Sequence, residues 1–280
     1  MPSVCERKES FRRVVRTTCV KPRRILAATI LGAYALLHGV GAAFYTFGGM
    51  RLCAAFFSIA CAVGAVALLR PTFWARRYAM GIALAGLLNC AAYFAVFRNL
   101  GGYCFGVAQL GAFAALFALL LGPRMRATYD ELAPHWKFDH PTMHVLASAL
   151  SLNVAGTGML VYYACMDASW TTPALRGGAL AIAAALAAGS IAAARGRILG
   201  LFLMTAAGVA SMWLGFRAYE VVTSPAYLAG RCGEWVTWLA WGKWETVKAI
   251  AGFAPAALGS LLTFGVFLGP MVRFVRNRAG

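Results

Sequence analysis

Residues 50–97 read MRLCAAFFSIACAVGAVALLRPTFWARRYAMGIALAGLLNCAAYFAVF, two apolar runs on either side of a short basic loop. The runs cover 50–70 and 76–97, and about 20 apolar residues are what a helix needs to cross the hydrocarbon core of a bilayer. A segment in contact with lipid must satisfy its backbone hydrogen bonds internally, and these runs are too apolar for barrel strands. The stretch therefore predicts two membrane-spanning helices joined by a tight basic turn.

The rest of the chain continues this pattern. Its 280 residues are 61% hydrophobic and 12% charged, whereas soluble domains carry about 25% charged residues. A soluble fold of this size could not bury so much apolar surface, but lipid covers the outside of a membrane bundle. The sequence therefore predicts an all-α, polytopic membrane helix bundle with eight transmembrane helices, at approximately 26–47, 50–70, 76–97, 101–122, 143–165, 175–195, 198–219 and 248–270.

The basic residues are distributed unequally between the two sides of the predicted bundle. Nineteen of the 26 lysines and arginines fall on the side that holds both termini, and seven fall on the other side. Because an excess of Lys and Arg marks cytoplasmic loops, we expect both termini to be cytoplasmic, in the cytoplasmic (inner) membrane of a bacterium. The net charge of +17 is then a consequence of topology, and the expected partner is the lipid bilayer, not nucleic acid.

Short motifs recur in the same order and indicate an internal repeat. HGVG at 38–41 matches AGTG at 155–158, and LGP at 121–123 matches LGP at 268–270. Halves with an even number of helices must be parallel, so the sequence predicts two parallel four-helix repeats. The predicted parts are a basic cytoplasmic tail 1–25, a first repeat 26–122, a cytoplasmic connector 123–142, a second repeat 143–270 with an outer insertion 220–247, and a cytoplasmic tail 271–280.

A few polar side chains fall near the middle of predicted spans, where lipid makes them costly. No carboxylate lies within a span, and His38 is the deepest titratable residue. Two interpretations stay open: a layer that binds a substrate or an ion, and hydrogen bonds that hold the bundle together. The candidate binding residues are His38, Asn89, Gln109 and Asn153.

The connector carries the candidate metal ligands. His140 and His144 are four residues apart, so both face one side of a helical turn, and Asp139 precedes them. Two histidines and a carboxylate suit a divalent metal, but solvated histidines at a helix start have the same pattern. We expect no cofactor, because this spacing matches no known signature.

The outer insertion contains tryptophans at a three-residue spacing. This spacing spreads the rings over a broad arc of a helix, and Trp is typical of the headgroup region of a membrane. The pattern predicts an interfacial helix; gating of a pathway and docking of a partner are the alternatives. The residues are Trp235, Trp238, Trp241 and Trp244.

Small residues occur at every fourth position of the sixth predicted span. Such a face lets two helix backbones approach closely, so we expect this helix to pack on a neighbour, on a partner membrane subunit or on a second copy of the chain. The residues are Gly177, Ala181, Ala185, Gly189 and Ala193.

Four of the eight cysteines fall near the predicted outer face, where disulfides can form if that face is oxidising. Pairing cannot be read from sequence, and no CxxC motif is present. The outer-face cysteines are Cys53, Cys104, Cys165 and Cys232.

No catalytic or nucleotide-binding motif is present, and no loop is long enough to be a soluble catalytic domain. We therefore expect a non-catalytic integral membrane protein, a scaffold or accessory subunit of a membrane complex. The alternative is a permease for a small or apolar molecule, with a site at the repeat interface. A polar cavity that reaches His38 and Asn153 favours the permease, and a dry, tightly packed interface favours the scaffold.

Overall fold

The computed structural model describes residues 4–44, 48–70, 72–96, 100–129, 140–165, 173–195, 197–223, 257–259 and 261. All regular secondary structure in these ranges is helical, which confirms the predicted all-α class. The helices are α1 (Val4–Phe44), α2 (Gly48–Leu69), α3 (Ala75–Val96), α4 (Leu100–Leu120), α5 (Pro123–Tyr129), α6 (His140–Cys165), α7 (Pro173–Ala194) and α8 (Ile198–Thr223).

Several of these helices are long and apolar enough to cross a membrane. Four described segments meet both criteria by themselves: Val20–Phe44, Gly48–Leu69, Pro173–Ala193 and Leu199–Arg217. A fifth arises if Cys104–Leu120 and Pro123–Tyr129, which meet at an angle of 72°, are one broken span. The chain is therefore a multi-pass helical membrane protein with four or five candidate spans among the described residues, and the eight predicted spans are not confirmed.

Helices α3 and α6 carry buried polar residues and pack against other helices of the bundle. They pack against each other, and each also contacts a second long helix, α4 for α3 and α7 for α6. A helix that faces protein on several sides can carry polar groups that a lipid-facing helix cannot. Helix α3 begins with Arg76 and Arg77, and α6 contains Ser151 and Asn153; all four are buried.

The buried apolar residues form two clusters. One joins residues of α1 to α5, from Val20 to Tyr129. The other joins residues of α6, α7 and α8, from Leu160 to Leu214, with Phe56 of α2 packed against its edge. The chain thus has two packing centres, and α3 and α6 form the main contact between them.

Buried polar groups close the helix ends beside the 70–77 loop. The Nε of Arg76 donates a hydrogen bond to the carbonyl oxygen of Leu120 at 2.7 Å. The hydroxyl of Tyr129 donates a hydrogen bond to the carbonyl oxygen of Leu68 at 2.6 Å. Both acceptors lie in the last turn of a helix, where carbonyls lack intrahelical partners. Gly122, with φ +104°, ends α4 in the left-handed region that glycine favours, and α5 begins at the next residue.

Some predicted features lie outside the described residues. These are most of the eighth predicted span, the Trp-rich segment with Trp235, Trp238, Trp241 and Trp244, the C-terminal tail, and Asp139 together with the side chains of His140 and His144. Two helices are longer than predicted. Helix α1 begins at Val4, inside the predicted basic tail, and α8 continues to Thr223, into the predicted outer insertion.

Candidate functional site: a groove between the two helix groups

A cavity of about 580 Å³ lies between α2 and α3 on one side and α6 and α7 on the other. We call it the inter-half groove, since its walls come from both predicted halves. Each helix contributes residues on one face: Phe56, Phe57, Ile59, Ala60 and Val63 of α2, Tyr78, Ile82 and Ala85 of α3, Leu150, Val154, Thr157 and Gly158 of α6, and Ala187, Ser190 and Ile191 of α7, with Trp74, Arg77 and Arg195 at one end.

The wall of the groove is largely apolar, and its hydroxyl groups already have partners. Tyr78 donates to the carbonyl oxygen of Ala60 at 3.2 Å, and Thr157 donates to that of Asn153 at 2.8 Å. Ser190 donates to the sulfur of Met204 at 3.5 Å. Because these protons are engaged within the protein, the wall favours a hydrocarbon surface over a strongly polar ligand.

Two arginines mark one end of the groove. Arg77 lies in the first turn of α3 and is 7% exposed, and Arg195 directly follows α7 and is exposed. None of the lining residues that the structure describes is an aspartate or glutamate, and both arginine side chains carry a positive charge. Trp74, whose ring meets that of Tyr78 edge to face at 5.6 Å, lies at the same end. The groove therefore combines a hydrocarbon wall with a cationic end.

The predicted residue His38 lies behind the groove wall, not in it. Its ring centroid is 5.7 Å from that of Phe57 and 6.2 Å from that of Tyr34. Tyr34 in turn stacks on Phe113 at 4.5 Å. His38 is therefore part of an aromatic cluster between α1, α2 and α4, separated from the groove by Phe57.

The other three predicted polar residues lie on different helices. Asn89 is half-buried on α3, and Gln109 is half-buried on α4, where its Oε1 accepts a weak hydrogen bond from the Cys90 thiol at 3.9 Å. Asn153 of α6 is fully buried. Within the described ranges, no hydrogen bond joins any two of His38, Asn89, Gln109 and Asn153, so a shared binding layer stays a prediction.

Asn153 is nevertheless close to the groove. Its Nδ2 donates to the sulfur of Met204 at 3.1 Å, and the same sulfur accepts the hydroxyl proton of Ser190, a lining residue. Its Oδ1 is buried and has no hydrogen-bond partner among the residues that the structure describes. The helical segment at Gly259 packs against this oxygen and against Leu152. Asn153 is thus linked to the groove wall through Met204 and Ser190.

The predicted small-residue face of α7 is divided between two environments. Gly189 and Ala193 are buried, and a Cβ at Gly189 would lie 2.8 Å from Met204 Cγ and 3.0 Å from the carbonyl oxygen of Gly200 on α8. Gly177 and Ala181, nearer the start of α7, are exposed. Within the described chain, α8 packs closely against the half of this face that holds Gly189 and Ala193. The half that holds Gly177 and Ala181 is left uncovered by the described residues.

No group of three or more His, Cys, Asp or Glu residues that could hold a metal ion occurs in the described ranges. Asp139 and the side chains of His140 and His144 lie outside the described part of the chain, so the predicted metal site is untested. From the sequence, the alternative permease site was placed at the repeat interface, but no role there was assigned to Arg77 or Arg195, because both were counted only as topogenic charges.

The fold and the groove define a class: a multi-pass α-helical membrane protein with an apolar cavity between two helix groups. No protein-family model matches this chain, and neither a curated protein nor a solved structure matches it.

Proposed function

We propose that this protein is a permease for a small amphiphile, a molecule with a hydrocarbon body and an acidic head group. The observation that carries the proposal is the inter-half groove, with its apolar wall and its two arginines at one end. The volume of about 580 Å³ is within the range of about 300–1,000 Å³ that small-molecule sites occupy. The hydrocarbon body lies against α2, α3, α6 and α7, and the head group meets Arg77 and Arg195.

The chemistry of the groove favours this ligand class over a sugar, a metal ion or a free inorganic anion. An apolar wall stabilises a ligand in proportion to the hydrocarbon area that it removes from water, about 25 cal/mol per Å². From Arg77 to Ala85 the groove follows α3 for about 12 Å at 1.5 Å per residue, long enough for part of an alkyl chain. Guanidinium groups bind carboxylate and phosphate through charge-assisted hydrogen bonds.

The location of the groove supports movement of a ligand as well as binding. Transporters commonly place their site at the interface of two repeats and move one half against the other. Here the two buried clusters are separate packing centres, and the groove lies between them. From the sequence, we expected a permease to have a polar cavity reaching His38 and Asn153, and a scaffold to have a dry, tightly packed interface. The groove is apolar and neither residue lines it, so neither expectation is met in full. An open cavity between the halves favours the permease over a scaffold.

Charge-removing substitutions at the arginine end test the proposal. In mild detergent, Arg77→Gln and Arg195→Gln are each expected to weaken decanoate binding about tenfold, because a hydrogen bond to a charged group contributes about 1.5–3 kcal/mol. Decanol, which lacks the charge, is expected to bind the wild type and both arginine variants with equal affinity. Isothermal calorimetry gives the affinities, and decanoate flux into proteoliposomes gives the transport activity.

Two control variants complete the test. Arg124→Gln removes an exposed arginine of α5 away from the groove and is expected to leave binding and flux unchanged. Ala187→Phe places a ring in the groove and is expected to abolish both. Unchanged decanoate affinity in Ala187→Phe contradicts the site, and saturable binding without flux in the wild type contradicts the permease but not the site.

We further propose the arrangement of eight spans as two parallel four-helix repeats, with both termini in the cytoplasm of a bacterium. The division of the buried residues into one cluster from α1–α5 and another from α6–α8 supports the two halves. An even number of spans accounts for the excess of basic residues on the side of both termini.

Thiol labelling in intact cells tests this arrangement. In a chain whose other cysteines are serine, the exposed Cys104 at the start of α4 is expected to react with a membrane-impermeant maleimide. Cysteines introduced as Arg124→Cys and Arg278→Cys are expected to react only after permeabilisation. Labelling of Arg278→Cys in intact cells contradicts the even number of spans, and a reversed pattern at Cys104 and Arg124→Cys contradicts the orientation.

A scaffold or accessory subunit is the second candidate function, and one observation favours it. Gly177 and Ala181 are exposed at the uncovered half of the small-residue face, and nothing described lies within 4 Å of a Cβ placed on Gly177. A helix from a partner subunit or a second copy of the chain would fit closely there.

A further inference from the structure

Two cysteine side chains meet where α2 begins and α6 ends. Cys53 lies in the second turn of α2, four residues after Gly49 and on the same face, and Cys165 is the last residue of α6, close enough for the two side chains to interact. The backbones are also in close contact, since a Cβ on Gly49 would overlap the carbonyl oxygen of Cys165. Both cysteines are free thiols in this structure.

The other described cysteines have different surroundings. Cys61 and Cys90 are buried in the cluster of α1–α5, and Cys90 is hydrogen-bonded to Gln109. Cys104 is exposed on α4. A structural zinc site needs four ligands, and within the described ranges no third His, Cys, Asp or Glu joins Cys53 and Cys165. The pair therefore fits bond formation between its two sulfurs better than it fits a metal.

We propose that Cys53 and Cys165 form a reversible disulfide that links α2 to α6. A disulfide requires the sulfurs to approach to about 2 Å, with Cα atoms about 4.4–6.8 Å apart. The backbone of Cys165 is in contact with Gly49, and the side chain of Cys53 on the same face of α2 tilts toward Gly49, so the two sulfurs face each other across this helix contact.

The burial of the two residues sets the order of the exchange. Cys165 is half-buried and Cys53 is 7% exposed, so the Cys165 thiolate attacks the oxidant, a small-molecule or protein disulfide. The mixed disulfide forms on Cys165 and releases one thiol of the oxidant. The Cys53 thiolate then attacks the Cys165 sulfur and releases the second thiol. Two S–H bonds are replaced by one S–S bond, and the two electrons and two protons reduce the oxidant disulfide to two thiols.

The position of the bond gives it a role in the bundle. Helices α2 and α6 both line the inter-half groove, and Cys53 precedes Phe56 by one turn. Arg77 and Arg195 are at the other end of the groove, so the disulfide ties its walls together at the end away from the arginines. The bond joins the two predicted halves covalently, and it does not depend on which ligand the groove takes.

Peptide mapping of the full-length protein tests the inference. The protein in mild detergent is incubated with oxidised glutathione, free thiols are alkylated, and the unreduced digest is analysed by mass spectrometry. We expect a linked pair of peptides containing Cys53 and Cys165, lighter than the two free peptides by two hydrogens, which dithiothreitol separates. Cys104→Ser and Cys61→Ser are expected to retain this link, and Cys53→Ser and Cys165→Ser are expected to lose it.

A second measurement keeps the inference testable if a serine variant does not fold. Alkylation of the wild type before and after oxidation is expected to show Cys53 and Cys165 protected together, with Cys104 reactive throughout. Oxidised wild type is also expected to unfold at a higher temperature than the reduced protein. Free Cys53 and Cys165 after oxidation, or a link of either one to a different cysteine, overturns the proposal.

Discussion

Replacing Gly81 with alanine is expected to lower the free energy of unfolding by about 3 kcal/mol, because a close helix crossing has no room for a methyl group. A Cβ at Gly81 would lie 2.6 Å from the carbonyl oxygen of Ser151 and 2.6 Å from Val154 Cβ on α6. One of these is a backbone atom, so a side-chain rotation cannot relieve the overlap, and α3 must move away from α6. This crossing is the main contact between the two clusters.

The measurement is an SDS titration of the protein in mild detergent, followed by tryptophan fluorescence. Gly111→Ala on α4 is the matched control, since nothing described lies within 4 Å of a Cβ there. Alanine is favoured over glycine in a helix by up to about 1 kcal/mol, so the control is expected to be as stable as the wild type or more so. Equal stability of the two variants would contradict the close packing of α3 on α6.

Replacing Gly189 with alanine is expected to cost about 2 kcal/mol, whereas Gly177→Ala, on the same predicted face of α7, is expected to cost nothing. A Cβ at Gly189 would lie 2.8 Å from Met204 Cγ and 3.0 Å from both the amide nitrogen of Met204 and the carbonyl oxygen of Gly200. A Cβ at Gly177 meets nothing described within 4 Å. The same small-residue pattern therefore has two different energetic consequences.

Unfolding in SDS measures the stability of Gly189→Ala and of Gly177→Ala. A larger substitution at Gly177 distinguishes packing within one chain from assembly with another chain. Gly177→Leu is expected to leave the monomer folded. If the exposed half of the face binds a partner subunit or a second copy, the same substitution reduces the assembly that native mass spectrometry detects. A wild type that stays monomeric and without a protein partner, unaffected by Gly177→Leu, would remove the support for a scaffold. Instability of Gly177→Ala would contradict the exposed position of this glycine.

The helical class and the membrane character were predictable because they depend on local properties of the chain. Runs such as 50–70 are apolar over the length of a bilayer, and a lipid environment leaves a single chain segment little choice besides the helix. The fourth predicted span ends at 122, and α4 ends at Leu120, just before the left-handed Gly122 and Pro123.

Other features depended on which helices become neighbours. Hydropathy treats each segment alone, so it does not show that α3 and α6 form the main contact between the two buried clusters. Arg76 was counted as a topogenic charge, yet it is buried and closes the end of α4 through Leu120. The predicted polar layer took depth as its criterion, whereas His38 lies in an aromatic cluster and Asn153 pairs with a methionine.

The sequence by itself determined that this protein is a helical, multi-pass membrane protein, because length, hydropathy and backbone hydrogen bonding act within one segment at a time. Only the tertiary structure decided that four helices enclose an apolar groove with arginines at one end, that Cys53 meets Cys165, and that half of a small-residue face is already occupied. These features arise from residues far apart in the chain, and their contacts depend on how the helices are rotated and crossed, which the pattern of one helix does not encode.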